Sequence, residues 1–238
     1  MDILITTLRW IHICAGTLAL GLAPVAMLTV KGGGAHRRWG KTYFWAMAVV
    51  ASTAVLLALW RPQIFLALLA VFSFYQAFTG YRALSRKRPD QGQGPRAIDW
   101  AAALVTFAVS AALAILGLIR PGASWQRLGV VPVVFGVLGM ILAGLDLRKF
   151  ARPPADRNAW WFAHMAGMLG SYIATVSAFS VVNFTFLPIA VRWLWPTVVG
   201  TPLIALWITY HKIRFRQLTP THAPAGARMP GQRARRGQ

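Results

Sequence analysis

The sequence predicts an all-α protein whose helices cross a membrane several times. Of its 238 residues, 57% are hydrophobic and only 13% are charged, which is too apolar for an ordinary soluble domain. The apolar residues fall into runs of roughly 20, the length that a helix needs to cross a hydrocarbon core about 30 Å thick. The runs lack the alternating period of a membrane β-barrel, so a bundle of helices is the predicted fold class.

Seven apolar segments form the predicted membrane domain, which covers residues 1–218. The first carries Asp2 where a signal peptide has basic residues, and Arg9 and His12 interrupt it, so we expect a retained helix. After these segments, residues 219–238 are rich in Pro, Gly and Arg and are predicted to be a disordered basic tail. The predicted spans are residues 3–30, 43–60, 63–81, 98–119, 128–147, 160–187 and 189–210.

The positive charge is distributed unevenly between the connections. The chain has 25 Lys and Arg residues, and those that follow the first, third, fifth and seventh spans far outnumber the others. Since basic connections stay in the cytoplasm, we expect the N-terminus outside, the C-terminus inside and residence in the bacterial inner membrane. Anionic lipids of the cytoplasmic face are then expected partners. Because topology accounts for the charge, no nucleic-acid partner is predicted. The other side carries Arg9, Arg61, Arg120, Arg127 and Arg192.

The supply of chemically active side chains is small. The chain has five acidic residues, all Asp, which argues against hydrolysis by paired carboxylates. The single Cys14 cannot form an intramolecular disulfide. Asp99 and Asp146 fall near the cytoplasmic ends of the fourth and fifth spans, where we expect them to pair with Arg96 and Arg148.

Histidines are the main candidate functional residues, because an ionisable group in a membrane span is costly unless it is paired, solvated or ligating. The predicted topology brings His164, His211 and His36 to the cytoplasmic layer, whereas His12 lies alone in the outer half. Two facing imidazoles can hold haem iron as axial ligands. We therefore predict cofactor binding, with haem b as the candidate, by His164 together with His211 or His36, and a separate outer site at His12.

Other interpretations of these histidines remain open. Of the two possible pairs, His164 with His211 is the one predicted to bind a metal, either the haem iron or another ion. A quinone or a proton path could use the same imidazoles. Alternatively, an amphipathic histidine at the membrane boundary only donates a hydrogen bond to a carbonyl group or a water molecule.

The sixth span carries a predicted ridge of small residues for helix packing, formed by Ala166, Gly170, Ala174 and Ala178.

Two segments of the chain carry a family resemblance. Residues 11–50 combine a helical histidine, His12, and Gly16 with a basic turn containing His36, Arg37 and Gly40; residues 74–84 read FYQAFTGYRAL. Together they resemble the bacterial integral membrane proteins grouped as the domain-of-unknown-function 2306 family. The resemblance covers the first third of the chain and implies a multi-helix membrane protein with recurring histidines, without an assigned reaction. The histidine pattern is also distantly similar to haem-carrying reductases of the cytochrome b561 type.

Two function classes follow from these observations. The first is a haem- or quinone-linked redox component of the membrane that uses its intramembrane histidines. The second is a non-enzymatic transporter or membrane accessory protein, in which the histidines manage protons or only pack. Whether the protein is an enzyme is left open by its sequence.

Overall fold

The computed structural model describes residues 2–61 and 63–218, and in these ranges it contains helices and no β-strand. Seven of the described helices are long and apolar enough to cross a membrane, which confirms the predicted all-α fold with seven candidate spans. Two single 3₁₀ turns, Ala83–Arg86 and Pro89–Gln91, lie between α3 and α4. The α-helices are α1 (Asp2–Leu28), α2 (Gly34–Trp60), α3 (Ile64–Arg82), α4 (Ala97–Ile119), α5 (Ala123–Leu128), α6 (Val131–Ala151), α7 (Ala159–Asn183) and α8 (Ile189–Leu218).

Some helix boundaries differ from the predicted spans. Helix α2 begins at Gly34, nine residues before the predicted span. The prediction began late because the exposed first turns of α2 carry Arg37, Arg38 and Lys41 and are therefore not apolar. Helix α7 ends at Asn183, and a short connection of turn residues precedes α8. The short helix α5 was not predicted. The tail prediction concerns residues 219–238, which lie outside the described residues.

The long helices run alternately up and down, so their ends form two layers. We call one layer the basic end: it contains the last turns of α1, α3, α6 and α8 and the first turns of α2, α4 and α7. The connections of this layer, together with the helix turns next to them, carry most of the lysines and arginines of the chain. The other layer is called the opposite end, and α5 lies there. All candidate site residues except His12 belong to helix turns near the basic end.

Aromatic side chains fill much of the interior near the opposite end. Trp193 of α8 contacts Phe65 of α3 and Phe135 of α6 with ring centroids 5.3 and 6.1 Å apart, both edge to face. Trp125 of α5 is also buried in this cluster and contacts Phe65. Edge-to-face pairs of this kind add about 0.5–1.5 kcal/mol beyond the buried area. The aromatic cluster therefore joins α3, α5, α6 and α8 at the opposite end.

Glycines allow two pairs of helices to touch through their backbones. In the α4–α6 pair, a Cβ atom added to Gly136 would lie 2.5 Å from the main-chain nitrogen of Ala114. In the α3–α7 pair, a Cβ added to Gly167 would lie 2.6 Å from the Cα of Gly80. These distances are far below van der Waals contact, so both pairs require glycine.

The predicted ridge of small residues on α7 is correct only in part. Gly170 does face α3, where it lies against the side chain of Gln76. The closest backbone contact, however, is made by Gly167, and Ala178 is exposed. A strict spacing of four drifts around a helix that has 3.6 residues per turn, so the four predicted positions do not stay on one face.

Candidate functional site

His164 lies on α7 near the basic end, and a main-chain carbonyl of α3 fixes its ring. Its Nδ1 atom is 2.9 Å from the carbonyl oxygen of Gly80. Since a carbonyl oxygen only accepts, Nδ1 must carry the proton and donate it. In the neutral ring, Nε2 then keeps its lone pair and can bind a metal or accept a hydrogen bond.

His36 has the same arrangement on the neighbouring pair of helices. It lies in the first turn of α2 and donates from Nδ1 to the carbonyl oxygen of Ala26 in α1, at 3.0 Å. Ala26 and Gly80 both belong to the last four residues of their helices, whose carbonyls have no i+4 donor within the helix; the Ala26 oxygen also accepts a hydrogen bond from the Thr29 hydroxyl at 2.7 Å. Each histidine therefore caps a helix end with Nδ1, as the carbonyl-bonding interpretation expects, and keeps Nε2 free to bind a ligand.

The two imidazoles lie next to each other. The ring centroids of His36 and His164 are 6.3 Å apart, and the ring planes are inclined by 77°. Two imidazole nitrogens that face each other across one metal ion, with bonds of about 2 Å, place the ring centroids about 6 Å apart, a spacing that these two rings match. A ligating histidine typically donates its second ring N–H to a carbonyl, and both rings do so here.

The number of donors distinguishes haem from a bare metal ion. Among the described residues, no group of three or more His, Cys, Asp or Glu side chains could hold a metal ion. Zinc takes three or four protein ligands, which two histidines do not supply. Haem iron needs at most two axial ligands from the protein, because the porphyrin provides the other four. The donor set of His36 and His164 thus fits haem better than an isolated ion.

His211 has a different environment from the one predicted for a partner of His164. Its ring lies among aromatic rings, with a centroid distance of 4.9 Å to Trp161 of α7 and further contacts to Trp207, Tyr210 and Phe215 of its own helix. No ring contact between His211 and His164 occurs in the described part of the chain. The pairing of His164 with His211 as metal ligands stays a prediction that no observed contact supports.

His12 lies in the opposite half of the bundle. Its Nδ1 atom is 2.9 Å from the hydroxyl oxygen of Thr53 and 3.2 Å from the carbonyl oxygen of Val50, both in α2. The fourteen residues from His12 to Ala26, where His36 binds, correspond to about 20 Å along α1. His12 is therefore too distant to join the other histidines in one site.

The predicted partners of the two carboxylates are wrong. Both oxygens of Asp99 bind the guanidinium of Arg82, at 2.8 and 3.0 Å, and one also binds Arg86 at 2.9 Å; Arg96 contributes its main-chain N–H and no ion pair. The donors come from α3 and the turn after it, which pack beside α4. Sequence neighbours are a poor guide here, because the partners of a buried carboxylate come from whichever helix packs against it.

Asp146 has two partners on α3 and one on its own helix, α6. One of its oxygens accepts hydrogen bonds from the hydroxyls of Tyr75 and Thr79, at 2.9 and 3.0 Å, and the other binds Lys149 at 3.1 Å. Arg148, the predicted partner, is two residues away on α6 and so points to a different face of the helix. The position of Tyr75 and Thr79 four residues apart on an apolar helix was the available signal for this contact.

Comparison with protein-family models, with curated proteins and with solved structures finds no match to this chain. The resemblance to the domain-of-unknown-function 2306 family, noted from residues 11–50 and 74–84, therefore stays a prediction. The arguments about function that follow depend on the residues and contacts of the chain itself.

Proposed function

We propose that the protein is a redox component of a membrane that binds haem b between His36 and His164. One observation carries the proposal: two imidazoles lie 6.3 Å apart, and each uses Nδ1 for a main-chain carbonyl and leaves Nε2 available. When bound, haem supplies one-electron transfer. The chain supplies two part-buried imidazoles, each held at Nδ1 by a main-chain carbonyl.

The surroundings of the histidine pair suit the charge of such a cofactor. Arg37 and Arg38 follow His36 directly and are exposed at the basic end, and Lys87 lies with its ammonium group 4.8 Å from the ring centre of Trp160. These cations can pair with the carboxylates that haem carries at one edge.

The test is an absorption spectrum of the protein purified in detergent from cells supplied with haem precursors. We expect a Soret band that shifts on reduction with dithionite. The variants His164→Ala and His36→Ala should each lose it. The matched variants His211→Ala and His12→Ala remove an imidazole elsewhere and should keep it.

Two results would contradict this proposal. One is a colourless wild-type protein from haem-supplied cells. The other is a Soret band that survives in His36→Ala and disappears in His211→Ala, which would move the ligand pair to the aromatic surroundings of His211. In a colourless protein, protection of the two histidines from chemical modification by a short-chain quinone would instead support quinone binding.

A second candidate is a non-enzymatic transporter or accessory protein, and one observation favours it. Gln76 of α3 is 95% buried, and its side-chain nitrogen has no hydrogen-bond partner among the described residues. Nearby on α2 and α7, the hydroxyls of Tyr43 and Ser171 share a hydrogen bond of 2.7 Å. Polar groups at this depth could line a path for protons. Proteoliposomes loaded with a pH-sensitive dye test this: proton leakage that depends on Gln76 would support transport.

For the membrane and its orientation, we infer residence in the bacterial inner membrane with the N-terminus outside and the C-terminus in the cytoplasm. The concentration of Lys and Arg at the basic end supports this orientation, and the same residues suit contact with anionic lipids. A reporter enzyme that works only in the cytoplasm should be active when it is fused after Leu218. A reporter enzyme that works only outside the cytoplasm should be active when it is fused in the connection between α7 and α8. The reverse pattern would overturn the inferred orientation.

A further inference from the structure

The closest contact between α3 and α7 lies directly beside His164. A Cβ atom added to Gly80 would lie 2.8 Å from the main-chain nitrogen of Met168, and one added to Gly167 would lie 2.6 Å from the Cα of Gly80. Both limits are set by backbone atoms, which cannot turn aside as a flexible side chain can. Any residue other than glycine at these two positions would therefore push the two helices apart.

The same contact determines the hydrogen bond of His164. Gly80 provides the carbonyl oxygen that His164 binds at 2.9 Å, and Gly167 is three residues from His164 on the same face of α7. The Nδ1-to-oxygen distance thus follows the spacing of the two helices. A separation larger by about 1 Å would take this distance beyond the range of a hydrogen bond.

The hydrogen bond in turn selects the form of the imidazole. While the Gly80 oxygen accepts from Nδ1, the neutral ring has its proton on Nδ1 and its lone pair on Nε2. Without that acceptor, the proton can move to Nε2 and the ring can rotate. His36 would then face a ring whose available nitrogen is no longer defined.

We propose that Gly80 and Gly167 are positioning residues, which hold α3 and α7 at the spacing that fixes the tautomer and orientation of His164. The consequence for ligand binding rests on the proposed haem site. The consequence for the imidazole itself does not depend on any ligand. The two parts can therefore be tested separately.

The variants for the test are Gly80→Ala and Gly167→Ala, with Gly136→Ala as the matched control. Gly136 makes an equally close backbone contact in the α4–α6 pair, where a Cβ would lie 2.5 Å from the nitrogen of Ala114. That contact involves neither α3 nor α7. The control therefore reports the general effect of separating two helices of this bundle, without the effect on His164.

The first measurement is nitrogen NMR of histidine-labelled protein in lipid bilayers, with the His164 signals identified by their absence from His164→Ala. In the wild type and in Gly136→Ala, we expect a proton on Nδ1 and magnetisation transfer from Nδ1 to the labelled carbonyl carbon of Gly80. In Gly167→Ala, and in Gly80→Ala with the label placed on the carbonyl carbon of residue 80, this transfer should disappear. The second measurement is haem affinity, which should fall about 10–100-fold in these two variants and stay at the wild-type value in the control.

Several outcomes would overturn the proposal. A wild-type His164 with its proton on Nε2, or without transfer to Gly80, would do so even if both glycine variants fail to fold. Folded variants that retain the transfer and the wild-type haem affinity would also contradict it. If the wild-type protein shows no transfer and binds no haem, both the positioning role of the glycines and the haem site are contradicted. A colourless protein that keeps the transfer, and loses it in the two variants, would support the positioning role and contradict the haem site.

Discussion

Two polar clusters lie at the basic end of the bundle, and they differ in how fully their polar atoms are bonded. The carboxylate cluster joins α3, α4 and α6: both oxygens of Asp99 and both oxygens of Asp146 accept hydrogen bonds. The histidine cluster, His36 and His164, joins α1, α2, α3 and α7, and each ring uses only Nδ1 for the protein. In the carboxylate cluster, both oxygens of each side chain accept hydrogen bonds from the protein. In the histidine cluster, Nδ1 of each ring bonds to the protein and Nε2 is available for a ligand.

This difference separates a structural role from a binding role. A buried charge whose hydrogen-bonding capacity is used by neighbouring helices contributes to the fold, and its removal leaves the partner charges uncompensated. A part-buried ring with one anchored and one available nitrogen is oriented for binding a ligand. We therefore expect substitutions in the carboxylate cluster to change stability more than ligand binding, and the reverse for the histidine cluster.

The largest effect on stability is expected for Asp99→Ala. The side chain of Asp99 is 1% exposed, and its loss leaves Arg82 and Arg86 without their carboxylate. Breaking a buried ion pair in this way costs about 3–5 kcal/mol. Unfolding in mixed detergent micelles measures this loss. Asp90→Ala, a change at an exposed position between α3 and α4, should alter the free energy of unfolding by less than about 0.5 kcal/mol.

An intermediate effect is expected for Tyr75→Phe. The substitution keeps the buried ring and removes the hydroxyl that donates to Asp146 at 2.9 Å. Hydrogen bonds to charged groups contribute about 1.5–3 kcal/mol, and Thr79 and Lys149 remain as donors, so we expect a loss at the lower end of this range. The same unfolding measurement applies, with Tyr210→Phe at an exposed position as the control. Equal effects of the two changes would show that Asp146 does not need the Tyr75 hydroxyl.

The smallest effect on stability is expected for His164→Ala, although it should abolish the Soret band. In the protein without cofactor, the change removes one neutral hydrogen bond to Gly80 and part of the ring packing, a loss of about 1 kcal/mol. Unfolding should be compared in wild-type and variant protein prepared without haem. A loss as large as that of Asp99→Ala would break the contrast between the clusters and assign His164 a structural role.

The sequence was sufficient to predict the seven long apolar helices, because each is a long apolar run and the backbone of such a run must be helical in a bilayer. It was less informative at helix ends. The first turns of α2 carry charged residues such as Arg37 and Lys41 that lower the local hydropathy without interrupting the helix. Short helices such as α5 carry too few residues for a periodic pattern to stand out.

The candidate site was predictable as a set of residues, but its contacts were not. Depth along each helix follows from topology, so His36, His164 and His211 could be assigned to one layer. Which helices are neighbours within that layer depends on packing between residues far apart in the sequence, such as Gly80 and Gly167. For the same reason, the predicted partners of Asp99 and Asp146 were near in sequence, whereas the observed donors Arg82 and Tyr75 lie on α3.

The distribution of the histidine cluster along the chain also has a consequence for biosynthesis. The nearby hydrogen bond between Tyr43 and Ser171 joins residues 128 positions apart, and His36 and His164 belong to the same two helices. A ribosome must therefore translate α7 before the two imidazoles can meet. Any prosthetic group that both rings hold can be bound only after α7 has been synthesised and packed beside α2.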